Sequence, residues 1–287
     1  MRYHRRSSPL HAARAGAGCA YCLALCLAAL LFSNPIVVGA VVVAIMGAAL
    51  GAGVGRDVAR AALLSLPLVI AIVVINALVA RDGLTVIVRL GNLPVLGQTD
   101  VTLEATVYGA ILGLRAVALI MCGALYTAAI DPDDVLRMFR RVSFRSALTA
   151  TLATRMLPVL VRDSHRFADA QRCRPGRPPS RLTLIRAASS GVLDRALDVA
   201  AALEVRGFGC ARRPPRARRP RSRHEIHFAA AAIVLIVIAT GARIAGLAPF
   251  AAYPGLHSPV DAGVIAVAAA IILCALLPFA DRRGIAR

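Results

Sequence analysis

Two arginines sit where a helix would be expected to stop. One is Arg174 in 170-AQRCRPG-176, the other Arg206 in 202-ALEVRGFG-209. A guanidinium is always charged, and its planar fork of donors matches a carboxylate or a phosphate. At a helix end it can meet the negative pole of its own helix, with Gly207 as the stop, or it can be gripped by another protein. Two copies in one chain, with no catalytic set beside them, favour docking. The acids of 131-DPDDVLRMFRRV-142 offer a second chemistry, a metal-binding cluster for a membrane transferase. Such an enzyme needs a second acidic motif, which the remaining spans lack. Asp131 as N-cap, Pro132 at the first helical position and Asp133 and Asp134 in the first turn also suit a helix start.

Other reactive residue types lead nowhere catalytic. Cys19, Cys22 and Cys26 recur at helical spacing without His or acid nearby, so they read as small apolar fillers rather than metal ligands. The glycines of 47-GAALGAGVG-55 cannot form a phosphate-binding loop, because the chain has no lysine. Gly47, Gly51 and Gly55 instead have the small-xxx-small spacing of closely packed membrane helices. His224 and His227 read as interfacial residues flanking a span.

The elements that hold these residues are mostly apolar. Hydrophobic residues make up 58% of the 287, and mean hydropathy is +0.70, well above the ~45–50% apolar share of a soluble domain. Apolar runs near 18–32, 36–54, 61–80, 106–130, 228–247 and 262–280 each approach the ~20 residues that cross a bilayer. The basic start and short first run suit a signal peptide, but Ser33-Asn34-Pro35 followed by another apolar run favours a reversing hairpin. The segment 81–104 has strand-like alternation near Thr85–Leu90 and turn residues at Gly91-Asn92. The expected fold is an all-α integral membrane protein of about six transmembrane helices with a cytoplasmic coupling domain. Its parts are 1–130, spans one to four; 131–210, coupling helices; 211–226, a basic linker; and 227–287, spans five and six.

Charge orients the bundle. Of the 34 basic residues, all Arg, 21 lie in 131–226, and Arg56 and Arg60 share that side; the opposite loops hold only Arg81 and Arg89. The positive-inside rule therefore makes 131–226 and both termini cytoplasmic. The net charge of +19 needs no nucleic acid. The run 212-RRPPRARRPRSR-223 lacks aromatic interleaving and abuts a span, so anionic membrane lipid is its partner.

Two amphipathic helices are expected within 131–210. The first, near 144–174, carries Leu148, Leu152, Met156, Val159, Phe167 and Ala170 on one face, with a bend at Pro158. The second, near 181–206, carries Leu182, Ile185, Val192, Ala196, Val199 and Leu203, opposite Arg186, Asp194 and Asp198.

The segments 131-DPDDVLRMFRRV-142, 155-RMLPVL-160, 169-DAQRCRPG-176 and 202-ALEVRGFG-209 resemble the transmembrane T component of energy-coupling factor transporters, the EcfT/CbiQ family. The resemblance covers 105–210 in motif detail and the rest in layout. Its mark is a pair of Ala-Arg-Gly-like motifs, each at the end of a coupling helix. Here Val205-Arg206-Gly207 replaces Ala by Val, and Cys173-Arg174-Pro175 keeps only the Arg, with Gly176 one place late. The resemblance implies a non-catalytic subunit in a bacterial cell membrane, with no cofactor of its own because ATP is held by partner subunits. Two ABC-type ATPases would receive Arg174 and Arg206, supported by Cys173, Gly176, Glu204 and Gly207. A substrate-binding S component would pack on the apolar helix faces and deliver a vitamin or transition-metal ion.

One further charge lies inside a span, Arg115 in 112-LGLRAVAL-119. Charge at depth is expensive and faces the protein interior, so Arg115 reads as a structural tie, with Asn76 as its expected partner. A conventional solute permease would need more polar groups at mid-membrane than these two. A metal-dependent transferase acting through Asp131–Asp134 is the other alternative to a transporter subunit.

Overall fold

The computed structural model describes residues 6–79, 85–93, 97–139, 144–173, 181–207, 222–250 and 261–281. The chain divides into two compact units, Met1–Val135 with Arg221–Arg287, and Leu136–Pro220. The division falls inside a short helix.

The first unit is a bundle of apolar helices. After a short α1 (Pro9–Ala12), α2 (Ala15–Leu31) and α3 (Pro35–Gly51) form a hairpin. Its turn is built by local chemistry: Asn34 caps α3 by accepting from Ile36 N at 3.0 Å, and Pro35 supplies the preset first helical residue. The third apolar run is two helices, α4 (Gly55–Leu64) and α5 (Leu66–Val79), interrupted at Ser65. Pro67 explains the break, because it has no N–H to donate and its ring crowds the preceding turn. Ser65 Oγ donates to Ala62 O at 2.7 Å across the gap. α4 begins at Gly55, so Arg56 and Arg60 stand on a helix and not in a loop before it.

A two-stranded antiparallel ribbon follows, β1 (Val86–Leu93) with β2 (Gly97–Thr102). The strand-like alternation at 85–90 is thus part of a longer strand. Gly91 and Asn92 lie within it and are not the turn, with register irregularities between Arg89 and Asn92. Leu103 N donates to Thr85 O at 2.9 Å, and buried Glu104 accepts from Thr85 N and Thr85 Oγ1, so the ribbon's base is fastened to the helix that follows.

That helix, α6 (Leu103–Ala129), packs against α2, α3, α4 and α5 and forms the centre of the bundle. α7 (Pro132–Phe139) starts as expected, with Asp131 Oδ1 accepting from Asp133 N at 2.9 Å. After the second unit's α8 (Phe144–Arg172) and α9 (Arg181–Val205), α10 (Arg223–Ile244) and α11 (Ala262–Leu276) complete the bundle, the last ending in a 3₁₀ turn, Leu277–Phe279. α10 starts at Arg223, before the expected 228, because Ser222 caps it by accepting from Glu225 N at 3.2 Å. His224 and His227 therefore lie within the helix.

By length and composition, Gly55–Val79, Leu103–Ala129, Arg223–Ile244 and Ala262–Phe279 can each cross a membrane. The apolar α2 and α3 have 17 residues each, about 25 Å at 1.5 Å per residue, at the short end of the range that spans ~30 Å of hydrocarbon. The chain is an all-α membrane protein with one small β ribbon.

Close packing comes from small residues. α3 meets α11 where Gly47 faces Leu276 and Gly51 faces Phe279; a Cβ on either glycine would stand 2.6 Å from that side chain. Phe279, Phe228 and Tyr21 form an edge-to-face trio with centroids 5.1 to 6.3 Å apart, and Tyr21 donates its hydroxyl to Ala275 O at 2.8 Å. Cys22 and Cys122 are buried between α2 and α6, with the Cys122 thiol 3.1 Å from Cys22 O. On α6, Gly109 and Gly113 receive α5: a Cβ at Gly109 would lie 3.1 Å from Val73 Cα. Elsewhere Leu64, Ile70, Ile75 and Val79 are exposed, as helices facing lipid require.

Candidate functional site

The second unit holds the two long helices expected within 131–210. α8 runs unbroken through Pro158 as far as Arg172, and α9 spans Arg181–Val205. An ion pair joins them, Arg195 Nη1 to Asp163 Oδ2 at 2.7 Å, with Arg166 4.0 Å from the other carboxylate oxygen. Neither Asp163 nor Arg195 stood out in the sequence. Opposite charges on two helices cannot be matched until the helices are seen side by side.

The end of α9 leaves an arginine exposed. Arg206 N still donates to Ala202 O at 3.2 Å, in helical register, and Gly207 N turns back to Glu204 O at 2.8 Å. Gly207 has φ +76°, the left-handed conformation that glycine adopts without a Cβ penalty. The helix therefore stops at once and leaves Glu204, Val205 and Arg206 exposed. Among the described residues Arg206 makes no side-chain hydrogen bond or ion pair. At the end of α8, Cys173 is exposed and its N–H donates to Asp169 O at 3.2 Å. Arg174 and Gly176 lie outside the described residues, as do residues 211–221 of the basic linker.

Exposure of the expected apolar residues varies along the two helices. Leu148, Leu152, Met156, Val159, Val199 and Leu203 are half-buried, whereas Leu182, Val192 and Ala196 are exposed. The side chain of Ile185 lies outside the described set. The large apolar side chains most open on α8 are Leu157 and Val161, and on α9 Val205, Leu182, Leu193 and Leu197. Leu157/Val161 and Leu193/Leu197 are i, i+4 pairs outside the expected stripes. A 3.6-residue period supports several overlapping stripes on a helix this rich in Leu, Val and Ala.

In the first unit Arg115 does form a tie, but not to Asn76. Its Nη2 donates to Phe32 O at 2.8 Å and to Ser33 Oγ at 3.1 Å. α2 ends at Leu31 with carbonyls that have no helical acceptor role left to fill, and a cation there meets the negative helix pole. Asn76 Nδ2 donates instead to Ile72 O, one turn back on its own helix. The acceptor for Arg115 is a backbone carbonyl 83 residues away, which no residue type announces.

The chain thus combines a bundle of apolar helices, four of them long enough to cross a membrane, with a second unit that holds two long helices. Residues 6–216 match the family model described as CbiQ, cobalt transport protein, and the chain belongs to this family. Comparison with individual curated proteins finds no match.

Proposed function

We propose that the chain is the scaffold and coupling subunit of an energy-coupling factor importer, multi-pass in a bacterial cell membrane with both termini cytoplasmic. Two ABC-type ATPases dock on the ends of α8 and α9 and receive Arg174 and Arg206. A substrate-binding S component packs on the apolar faces of the two helices. ATP binding draws the ATPases together, the helices follow, and the S component tips and releases its cargo inward. The chain itself holds no nucleotide and catalyses nothing. The family's description names cobalt, which supports a transition-metal ion as cargo beside a vitamin.

The observation that carries this reading is the end of α9: a solvent-exposed guanidinium one residue beyond the last turn, followed by a left-handed glycine. Buried in an acidic groove of a partner, such an arginine becomes costly to remove, on the order of 2–5 kcal/mol. The test is purification in mild detergent, in which two ATPases and a small membrane protein should accompany the chain. Arg174→Ala with Arg206→Ala should abolish ATP-driven uptake while the spans still insert. Normal uptake by that double variant, with both ATPases bound, would refute the roles given to these arginines.

A further inference from the structure

At one end of the bundle, where α3 turns into α4, a cavity of ≈ 520 Å³ opens among Arg6, Leu50, Gly53, Arg56, Asp57 and Arg60. Its charges do not balance. Arg6 reaches across from the N-terminal segment, donating to Gly53 O and lying 3.5 Å from Asp57, so the single carboxylate among the described lining residues is already engaged. Arg56 and Arg60 have no hydrogen-bond or ion-pair partner among the described residues. They stand one helical turn apart on α4, where side chains at i and i+4 are neighbours. The other face of α4 is anchored by buried Val58 and Ala61, which keeps both arginines turned outward.

We infer that this cavity binds a phosphate-bearing anion, clasped between Arg56 and Arg60 beside the Arg6 strap. Two guanidiniums one turn apart can each donate a pair of bonds to phosphate oxygens, the geometry that arginine serves better than lysine. The volume falls within the ~300–1,000 Å³ of small-ligand sites. What surrounds the charges favours a lipid headgroup over a free ion. Leu50 lines the cavity and is 67% exposed, and Leu63 and Leu64, further along α4, are 64% and 80% exposed. A ligand with its phosphate on the arginines would therefore have apolar surface beside it for acyl chains. α4 opens the membrane-length stretch Gly55–Val79, so the arginines sit at the level of headgroups. This inference does not depend on the coupling reading.

The test uses the full-length protein in mild detergent with fluorescent phosphatidylglycerol or phosphatidylcholine. The parent should prefer phosphatidylglycerol. Arg56→Gln with Arg60→Gln should weaken that binding by roughly 30-fold, about fivefold for each arginine. The same change at two exposed arginines of the other unit, Arg162→Gln with Arg186→Gln, should leave it within about twofold. The unfolding midpoint of the first pair should match the parent, since neither arginine holds the fold. Inorganic phosphate at matched ionic strength then separates the sources: displacement of the lipid assigns a site open to free phosphate, and no displacement assigns the headgroup. Unchanged phosphatidylglycerol binding in the Arg56/Arg60 pair, or an equal loss in the Arg162/Arg186 pair, would overturn the inference.

Discussion

Replacing Gly109, Gly113, Gly51, Gly47 and Gly123 by alanine, one at a time, adds the same methyl group to five different surroundings. At Gly109 the new Cβ would lie 3.1 Å from Val73 Cα, 3.3 Å from Val73 O and 3.1 Å from Asn76 Cβ, so it presses on the α5 backbone. At Gly113 it would stand 2.7 Å from Val69 Cγ1, a β-branched side chain with little rotamer freedom in a helix. At Gly51 it would meet the Phe279 ring at 2.6 Å, and that ring is held in the aromatic trio. At Gly47 it meets the tip of Leu276, which can turn aside, and at Gly123 it meets nothing within 4 Å. Overpacking costs ~1–3 kcal/mol where neighbours cannot yield. The intrinsic helix gain of alanine, ~1 kcal/mol in water, largely cancels here, because membrane helices keep their backbone bonds when the bundle comes apart. The expected order of loss is therefore Gly109, Gly113 and Gly51 at about 1–3 kcal/mol each, Gly47 under about 1, and Gly123 near zero. Unfolding in mixed micelles of mild detergent and dodecyl sulfate measures this, with a tenfold change in equilibrium constant for every ~1.4 kcal/mol. A neutral Gly109→Ala, or a Gly123→Ala as damaging as Gly109→Ala, would refute the described packing of α5 on α6.

Arg115→Ala should destabilise the bundle by about 1–3 kcal/mol in the same assay, because it strands the Phe32 carbonyl. Ser33→Ala should cost under about 0.5 kcal/mol, since its bond to Arg115 is exposed and water can replace it. A double-mutant cycle on Asp163 and Arg195 should give a coupling of only ~0.2–1 kcal/mol, because the two side chains are 27% and 41% exposed and solvent screens them. Gly207→Val should fray the end of α9 by about 1–2 kcal/mol at φ +76°. It should also lower ATP-driven uptake with Arg206 intact, and normal uptake by that variant would argue against a fixed arginine tip.

Four spans were legible because a bilayer demands long apolar runs with few charges, and this chain supplies them at Gly55–Val79, Leu103–Ala129, Arg223–Ile244 and Ala262–Phe279. Their ends were less legible. Arg56, Arg60 and Arg223 look like loop residues by charge, yet helix ends tolerate arginine at the headgroup level. The Ser222 and Glu225 spacing marks the start of α10 for a reader looking for caps. Half of the β ribbon showed in its alternation, but its turn was misplaced because Gly91 and Asn92 resemble turn residues while lying in a strand. The Gly109/Gly113 spacing matches that of Gly47/Gly51 but lies inside a longer apolar run, where it does not stand out. What stayed hidden shares one cause: the Arg115 acceptor, the Asp163 partner and the open faces of α8 and α9 are relations between segments distant in the chain. The arginine tip at 206 was legible because glycine's freedom to turn left-handed is written in its identity.

Photo-crosslinking from position 205 tests the coupling account most directly. Val205 is 89% exposed and immediately precedes Arg206, so a photoreactive residue there samples whatever receives the arginine. In membrane vesicles carrying the assembled complex, the account predicts an adduct with an ATPase subunit, formed on the cytoplasmic face and lost when Arg206 is replaced by alanine. An adduct with no ATPase, or a position 205 reachable by reagents only from the opposite face, would contradict it.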